Sequence, residues 1–225
     1  MQTELHAALP VRPLLASGLR GLALHASRLL RTLELRIDVE HGQEELEAEL
    51  RALHERLHCR GDPLCGIAVR DCGVPGFAVR YREADGEYYC YVEDVASARL
   101  AGYTVFNRLI EVDRRADRHL RAPHSKFAPA YQRRGLATAL YRWYLDTGRC
   151  LISGARQSPG AHALWQSLGT HYPAGYVQVR DKQMRWLGKD VPPAVLNDLH
   201  TRMVLLGNGW SVARLARATG MAMMA

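Results

Sequence analysis

Between His124 and Leu145 the sequence changes texture twice, and this constrains the fold more than any other feature of the chain. His124 to Ala128 reads as a strand, Pro129 to Gly135 as a turn, and Leu136 to Leu145 as an amphipathic helix that ends before Gly148. A second unit of the same kind follows at once. Cys150 to Ser153 is a short apolar strand and Gly154 to Gln157 a loop; Ser158-Pro159 then supplies the N-cap and first position of a helix that closes at Leu168-Gly169. Strands that alternate with helices in this way place the chain in the α/β (α+β) class.

The flanks fit that frame. Gly66 to Arg70, Phe77 to Arg82, Glu87 to Glu93 and Gly102 to Glu111 are β-type segments, and Asp85-Gly86 between the second and third is a hairpin signal. Tyr176 to Val179 and Gln183 to Leu187 form a final strand pair, after which Pro192-Pro193 sets off a tail. Upstream, Leu14, Leu15, Leu19, Leu22, Leu29, Leu30 and Leu33, then Leu46, Leu50, Leu53 and Leu57, recur at helical spacing in two runs separated near Gly42. The expected organisation is an N-terminal helical pair (1–62), a central domain (63–190) and a C-terminal helical tail (191–225). That tail, Gly209 to Met221, has the look of the first helix of a helix-turn-helix, but only four residues follow Met221. No recognition helix can be built there. It reads as a docking or dimerisation helix, and a homodimer is expected.

The 225 residues, 48% hydrophobic and 24% charged, exclude a disordered or disulfide-scaffold class, and no apolar run is long enough to span a membrane. Cys59, Cys65, Cys72, Cys90 and Cys150 are odd in number, which favours reduced thiols in a cytoplasmic compartment. His54 and His58 lie one helical turn apart near Cys59, Cys65 and Cys72, but no paired-cysteine knuckle is present. The group reads as helix-end packing, and no metal is expected. The net charge of +7 is unevenly spread: residues 99–156 hold twelve cations against four acids. An excess of that size favours a polyanion, either a phosphorylated cofactor or nucleic acid.

The turn explains part of that preference. Successive backbone N–H groups at a helix N-terminus face outward, Gly135 and the small Ala137 allow a ligand close to the main chain, and Arg133 and Arg134 add charge. This is the chemistry of a pyrophosphate cradle. Neither the Walker spacing nor the dinucleotide-binding GxGxxG spacing is present.

Gln132-x-x-Gly135-x-Ala137, after a strand that ends near a proline, resembles the signature turn of the GNAT acyl-CoA N-acyltransferase superfamily. Ser158-x-x-Ala161-x-x-Leu164-Trp165-x-x-Leu168-Gly169 resembles its second block. The resemblance covers roughly residues 65–188. It implies a mixed, splayed sheet flanked by helices that opens as a V between the two strands preceding these helices, with acetyl-CoA or another acyl-CoA in the opening. Main chain from Arg133 through Gly135, Leu136 and Ala137 to Thr138 would hold the pyrophosphate. Phe127 and Ala128 would orient the thioester, with Gln132, Ser158 and Trp165 carried over as further cofactor positions.

Two departures stand out. Trp165 replaces the tyrosine that protonates the leaving thiolate in many relatives, and an indole is no acid at neutral pH. Ser158 replaces an asparagine, and its simplest duty is to cap the helix. Tyr172, Tyr176, Tyr131 or water is left as proton donor. The incoming amine must be neutral, and the candidate bases by chain order are Glu111 and His124. The expected activity is an N-acyltransferase that works by direct attack in a ternary complex. The alternatives are a catalytically silent CoA or partner binder, and an enzyme that modifies nucleic acid.

Overall fold

The computed structural model describes residues 42–71 and 73–223. The chain divides into two units, Met1–His41 and Gly42–Ala225, and every described residue belongs to the second. The first leucine run and Cys72 therefore fall outside the described residues.

Helix α1 (Gln43–His58) carries the second leucine run. Leu50 and Leu57 are buried against Leu64, Tyr91, Leu100 and Tyr103, with Leu46 and Leu53 partly covered beside them. Each fully buried leucine contributes about 1.5–3 kcal/mol. That is enough to hold the helix on one face of the sheet.

Five strands follow as an antiparallel meander: β1 (Val69–Asp71), β2 (Phe77–Ala84), β3 (Glu87–Asp94), β4 (Arg99–Asn107) and β5 (Leu120–Phe127). The β2–β3 hairpin turns at Asp85 (φ 56°) and Gly86 (φ 77°), the positive pair that a two-residue hairpin demands. Strand β4 stops at Asn107, short of the Glu111 that its β-type composition suggests. The buried Asp117 accounts for the break: its carboxylate accepts from Arg108 Nε and Nη2 (2.8 and 2.7 Å) and from the Leu109 amide (2.8 Å). These bonds draw the chain off the ladder into the one-turn helix α2 (Arg114–Asp117).

After β5 a 3₁₀ turn (Pro129–Tyr131) leads to α3 (Leu136–Asp146). The chain continues through β6 (Cys150–Ile152), α4 (Pro159–Gly169), β7 (Ala174–Arg180), β8 (Gln183–Gly188), α5 (Pro193–Leu196), β9 (Thr201–Leu205) and α6 (Val212–Thr219). The sheet order is β1-β2-β3-β4-β5-β6-β9-β7-β8. The C-terminal stretch is thus more than a helical tail. Strand β9, buried along its whole length, fills the place between β6 and β7. Arg202-Met203-Val204-Leu205-Leu206 is a short apolar run whose period is the same for a buried strand and a buried helix turn.

Helices α3 and α4 cover one face of the sheet around Phe106, Tyr141, Tyr144, Trp165 and Leu168. On the other face α2 and α6 pack through Ala116 and Leu215 onto Leu120, Cys150 and Val204.

The sheet is mixed because β5 and β6 run parallel, and they meet only at Leu120↔Cys150 and Arg121↔Leu151. From Ala122 to Phe127, β5 pairs with β4 alone. The Ala128 amide donates to Ala101 O (3.0 Å), which makes Ala101/Ala128 a hydrogen-bonded pair. Alternation along the antiparallel ladder then turns the main-chain groups of Pro123, Ser125 and Phe127 away from β4, toward the side where β6 has diverged. Pro123 offers no N–H there, so the parallel ladder cannot continue past it. The result is an open V between β5 and β6.

Candidate functional site

The turn that leaves β5 stands at the mouth of this V. Gln132 closes it from within, Nε2 donating to Phe127 O at 3.0 Å. Arg133 (φ 58°) and Gly135 (φ 79°) both take the left-handed conformation, which folds the intervening main chain into a concave nest. The bonds that fix the turn are made upstream, where the Tyr131 amide donates to Ala128 O and that of Gln132 to Pro129 O, and the first bond into α3 is that of Ala139 to Gly135 O. From Arg133 through Thr138, six consecutive amides have no acceptor among the described residues.

The space in front of them is open. Residues 132–135 are exposed, and a Cβ built on Gly135 would meet nothing within 4 Å. Leu136 differs from its neighbours in that its side chain is buried in the core while its amide belongs to the nest. Ala137 and Thr138 are half-buried. The helix has no side-chain cap, so the positive end of its dipole faces this space uncompensated.

An aromatic platform fixes the charge beside the nest. The Arg134 guanidinium lies over the rings of Phe77 (4.8 Å) and Tyr131 (5.6 Å), which meet each other edge to face. Tyr131 is anchored in turn, its hydroxyl within 3.1 Å of Asp94 Oδ2 and 3.2 Å of Ser97 Oγ. Hydrogen bonds from Ser97 and Tyr131 hold the Asp94 carboxyl below its ordinary range. Phe77, Asp94 and Ser97 are more than thirty residues from the turn and form no motif with it, so this support could not be read from the sequence.

The other positions named from the sequence separate into two groups. Phe127 is buried where β5 ends, and Ala128 follows it, packed on the α1 side. His124 is exposed on β5 opposite Val105. It shares its face with Lys126, whose Nζ reaches Glu49 Oε2 of α1 (3.0 Å), while Ser125 points the other way toward Tyr141 Oη (3.3 Å). Burial pushes the Tyr141 hydroxyl up to about 12. Ser158 caps α4 by accepting from the Ala161 amide at 3.2 Å. Trp165 is buried in the core, edge to face with Tyr141 at 6.3 Å.

Glu111 and Tyr172 lie away from the nest. Because β4 and β5 are antiparallel, the chain beyond Asn107 is at the start of β5, about 20 Å of strand from Phe127. There Glu111 is paired with Arg202 Nη2 (2.9 Å). Tyr172 donates to Asp146 Oδ1 (2.7 Å) at the C-terminal end of α3, some 15 Å of helix from the nest. Burial and the Asp146 carboxylate raise its pKa, and its proton is held by that carboxylate. Of the tyrosines offered as proton donors, Tyr131 is the one in the turn.

Internal partners also occupy half of the twelve central cations: Asp117 for Arg108 and Arg121, carbonyls of α6 for Arg115, Glu49 for Lys126, and aromatic rings for Arg134 and Arg149. Cys150 is buried in β6, and burial pushes its thiol up to about 11, which leaves it a packing residue. No described helix is long and apolar enough to cross a membrane.

No family profile matches the chain, and no curated protein matches it. Among solved structures it is similar to a GNAT superfamily phosphinothricin acetyltransferase from Sinorhizobium meliloti in complex with AcCoA. The identity is 21% and the TM-score 0.34, over 55% of this chain and 63% of that one, so less than two thirds of that enzyme is spanned. It is also similar to a chimera of spermidine N-acetyltransferase SpeG from Vibrio cholerae with hSSAT, at 17% identity and TM-score 0.33 over 80% of this chain and 88% of that one. A point mutant of the Vibrio cholerae SpeG gives 18% and 0.34 over 71% and 89%. Overlays at these scores carry no argument about this chain, and the functional reading rests on its own geometry.

Proposed function

We propose that the protein is an acyl-CoA-dependent N-acyltransferase, with acetyl-CoA the expected donor, that transfers the acyl group to an amine by direct attack. One observation carries this reading: the six unbonded amides from Arg133 to Thr138, set at the mouth of an open V in the sheet. A diphosphate matches such a nest, since it offers several acceptor oxygens to convergent donors where the dipole is positive. Arg134, held on its aromatic platform, adds a fixed cation. Main-chain groups of Ser125 and the Phe127 amide, which face the V, offer partners to a pantetheine arm, as an added strand would.

Bound acyl-CoA supplies the activated carbonyl. The chain supplies position and proton handling. His124, exposed on the neighbouring stretch of β5, is the remaining candidate base, and its residue type titrates in the range where an ammonium can be deprotonated on the way to attack. No covalent acyl-enzyme is proposed: Cys150, at the start of β6 opposite Leu120, is buried with a raised pKa.

A second reading, a silent CoA binder, is favoured by the burial of Trp165 where relatives of the resembled family carry an acid. The same experiment tests both. Acetyl-CoA is titrated by calorimetry into the full chain and into Gly135→Trp, and free thiol is followed with amines, polyamines, proteins and tRNA as acceptors. Saturable binding lost in the variant, with thiol release on at least one acceptor, supports the enzyme. Binding without release on any acceptor supports the silent binder, and equal affinity in the variant overturns the cradle. A nucleic-acid acceptor would show itself by steep salt dependence.

A further inference from the structure

On the face of the sheet opposite α3, away from the nest, α1 and β3 bring two histidines together with a carboxylate at least 35 residues further along the chain. His54 and His58 stand one turn apart on α1, their rings 4.5 Å apart, and Glu93 of β3 reaches between them. Glu93 Oε1 lies 2.7 Å from His58 Nε2 and 3.6 Å from His54 Nδ1, and one donor atom from each residue falls within 4.8 Å of the others. His54 Nδ1 is buried with no hydrogen-bond partner. Arg80 Nε takes the other carboxylate oxygen, Oε2, at 2.7 Å, which aims Oε1 at the two imidazoles.

We propose that His54, His58 and Glu93 form a binding site for a divalent first-row transition ion, Zn²⁺ being the best match, that staples α1 to β3. Two imidazoles and a carboxylate are a borderline N₂O set that suits zinc better than calcium or magnesium, whose sites are made of oxygen. Ligand atoms around a tetrahedral zinc lie about 3.3 Å apart, as follows from bonds of about 2.0–2.2 Å. The 2.7 and 3.6 Å separations from the carboxylate straddle that value, and with all three donor atoms within 4.8 Å of one another an ion would draw the set in through rotamer changes of the two imidazoles. Arg80 acts as the outer partner that orients a ligating carboxylate. The His58 side chain is about half exposed, at 47%, so an ion has a path in and water a fourth position.

The ordinary alternative is a hydrogen-bonded trio in which Glu93 serves both histidines and no ion binds. Zinc titrated into the full, reduced chain against a chromophoric chelator separates the two. The expected result is one ion per chain, affinity weakened at least about tenfold by His58→Ala and by His54→Ala, and a melting temperature raised by zinc in the wild type alone. Cys59→Ser should leave the affinity unchanged, and the cobalt-loaded protein should show no thiolate charge-transfer band. No saturable binding at micromolar zinc overturns the proposal, as does binding that survives both histidine variants or binding through thiolate. His58→Ala changes a half-exposed side chain, so loss of the ion without loss of fold, checked by circular dichroism, remains observable even if His54→Ala unfolds.

Discussion

The two strand–turn–helix units of this chain begin their helices in opposite ways. At α4, Pro159 removes one orphan donor, Ser158 caps another through the Ala161 amide, and Ser158 O accepts from the His162 amide. At α3 the residue in the same place is Gly135, in the left-handed conformation and without a side chain, and the amides ahead of it are unbonded as well. A serine or aspartate cap would stabilise a helix by about 0.5–2 kcal/mol. Where a fold leaves that stabilisation unused at one helix and takes it at the next, the unused end is the better candidate for an external ligand. The difference teaches that the proposed cradle is defined by what the chain omits, and each substitution below either removes that difference or isolates one side of it.

The largest effect is expected from giving α3 an acidic group where α4 has its cap. Gly135→Asp adds a carboxylate among amides that would otherwise meet a diphosphate, at a φ of 79° that an L-residue adopts only with strain. Acetyl-CoA affinity should fall at least about 100-fold, or roughly 2.7 kcal/mol, while stability falls by about 1 kcal/mol. Calorimetry and a denaturant melt read the two separately. Arg134→Ala comes next. It removes one cation from the rim but leaves every amide in place, so a loss of about three- to tenfold is expected, shrinking as salt is raised. A loss as large as that of Gly135→Asp would mean that the guanidinium, and not the main chain, is the principal phosphate ligand.

Glu111→Gln tests the distance argument. The carboxylate belongs to the far end of β5, so turnover with any acceptor found should stay within about twofold of wild type. Stability should drop by no more than about 1 kcal/mol, because the pair with Arg202 is nearly half exposed on the glutamate side. A rate loss of a hundredfold or more would return Glu111 to the chemistry and contradict the register of β4 and β5.

That misplacement shows where the sequence was readable. Both helix starts, the positive-φ hairpin at Asp85-Gly86 and the glycine turn before α3 were legible because each is local: Gly, Pro and Ser act on their own turn. The alternation of strands and helices followed from the order of such local signals. What was not legible depends on pairings across the chain. Asp117 ends β4 by bonds to Arg108 and Leu109, β9 inserts between β6 and β7, and Glu93 reaches histidines 35 residues upstream. Trp165 could be counted as a departure from a motif, but only its packing on Tyr141 makes it a core residue. The twelve central cations pointed to a polyanion, yet half of them have internal partners that net charge cannot reveal.

The smallest effect is expected at the other helix. Ser158→Ala removes the one side-chain cap of α4, and because Ser158 is exposed the loss should sit near the low end of the cap range, about 0.5–1 kcal/mol by denaturant melt. Acetyl-CoA affinity should not change, since this hydroxyl is engaged with its own helix. If affinity instead falls tenfold while stability holds, Ser158 contacts the ligand, and the two helix ends share one binding site rather than dividing structure from function between them.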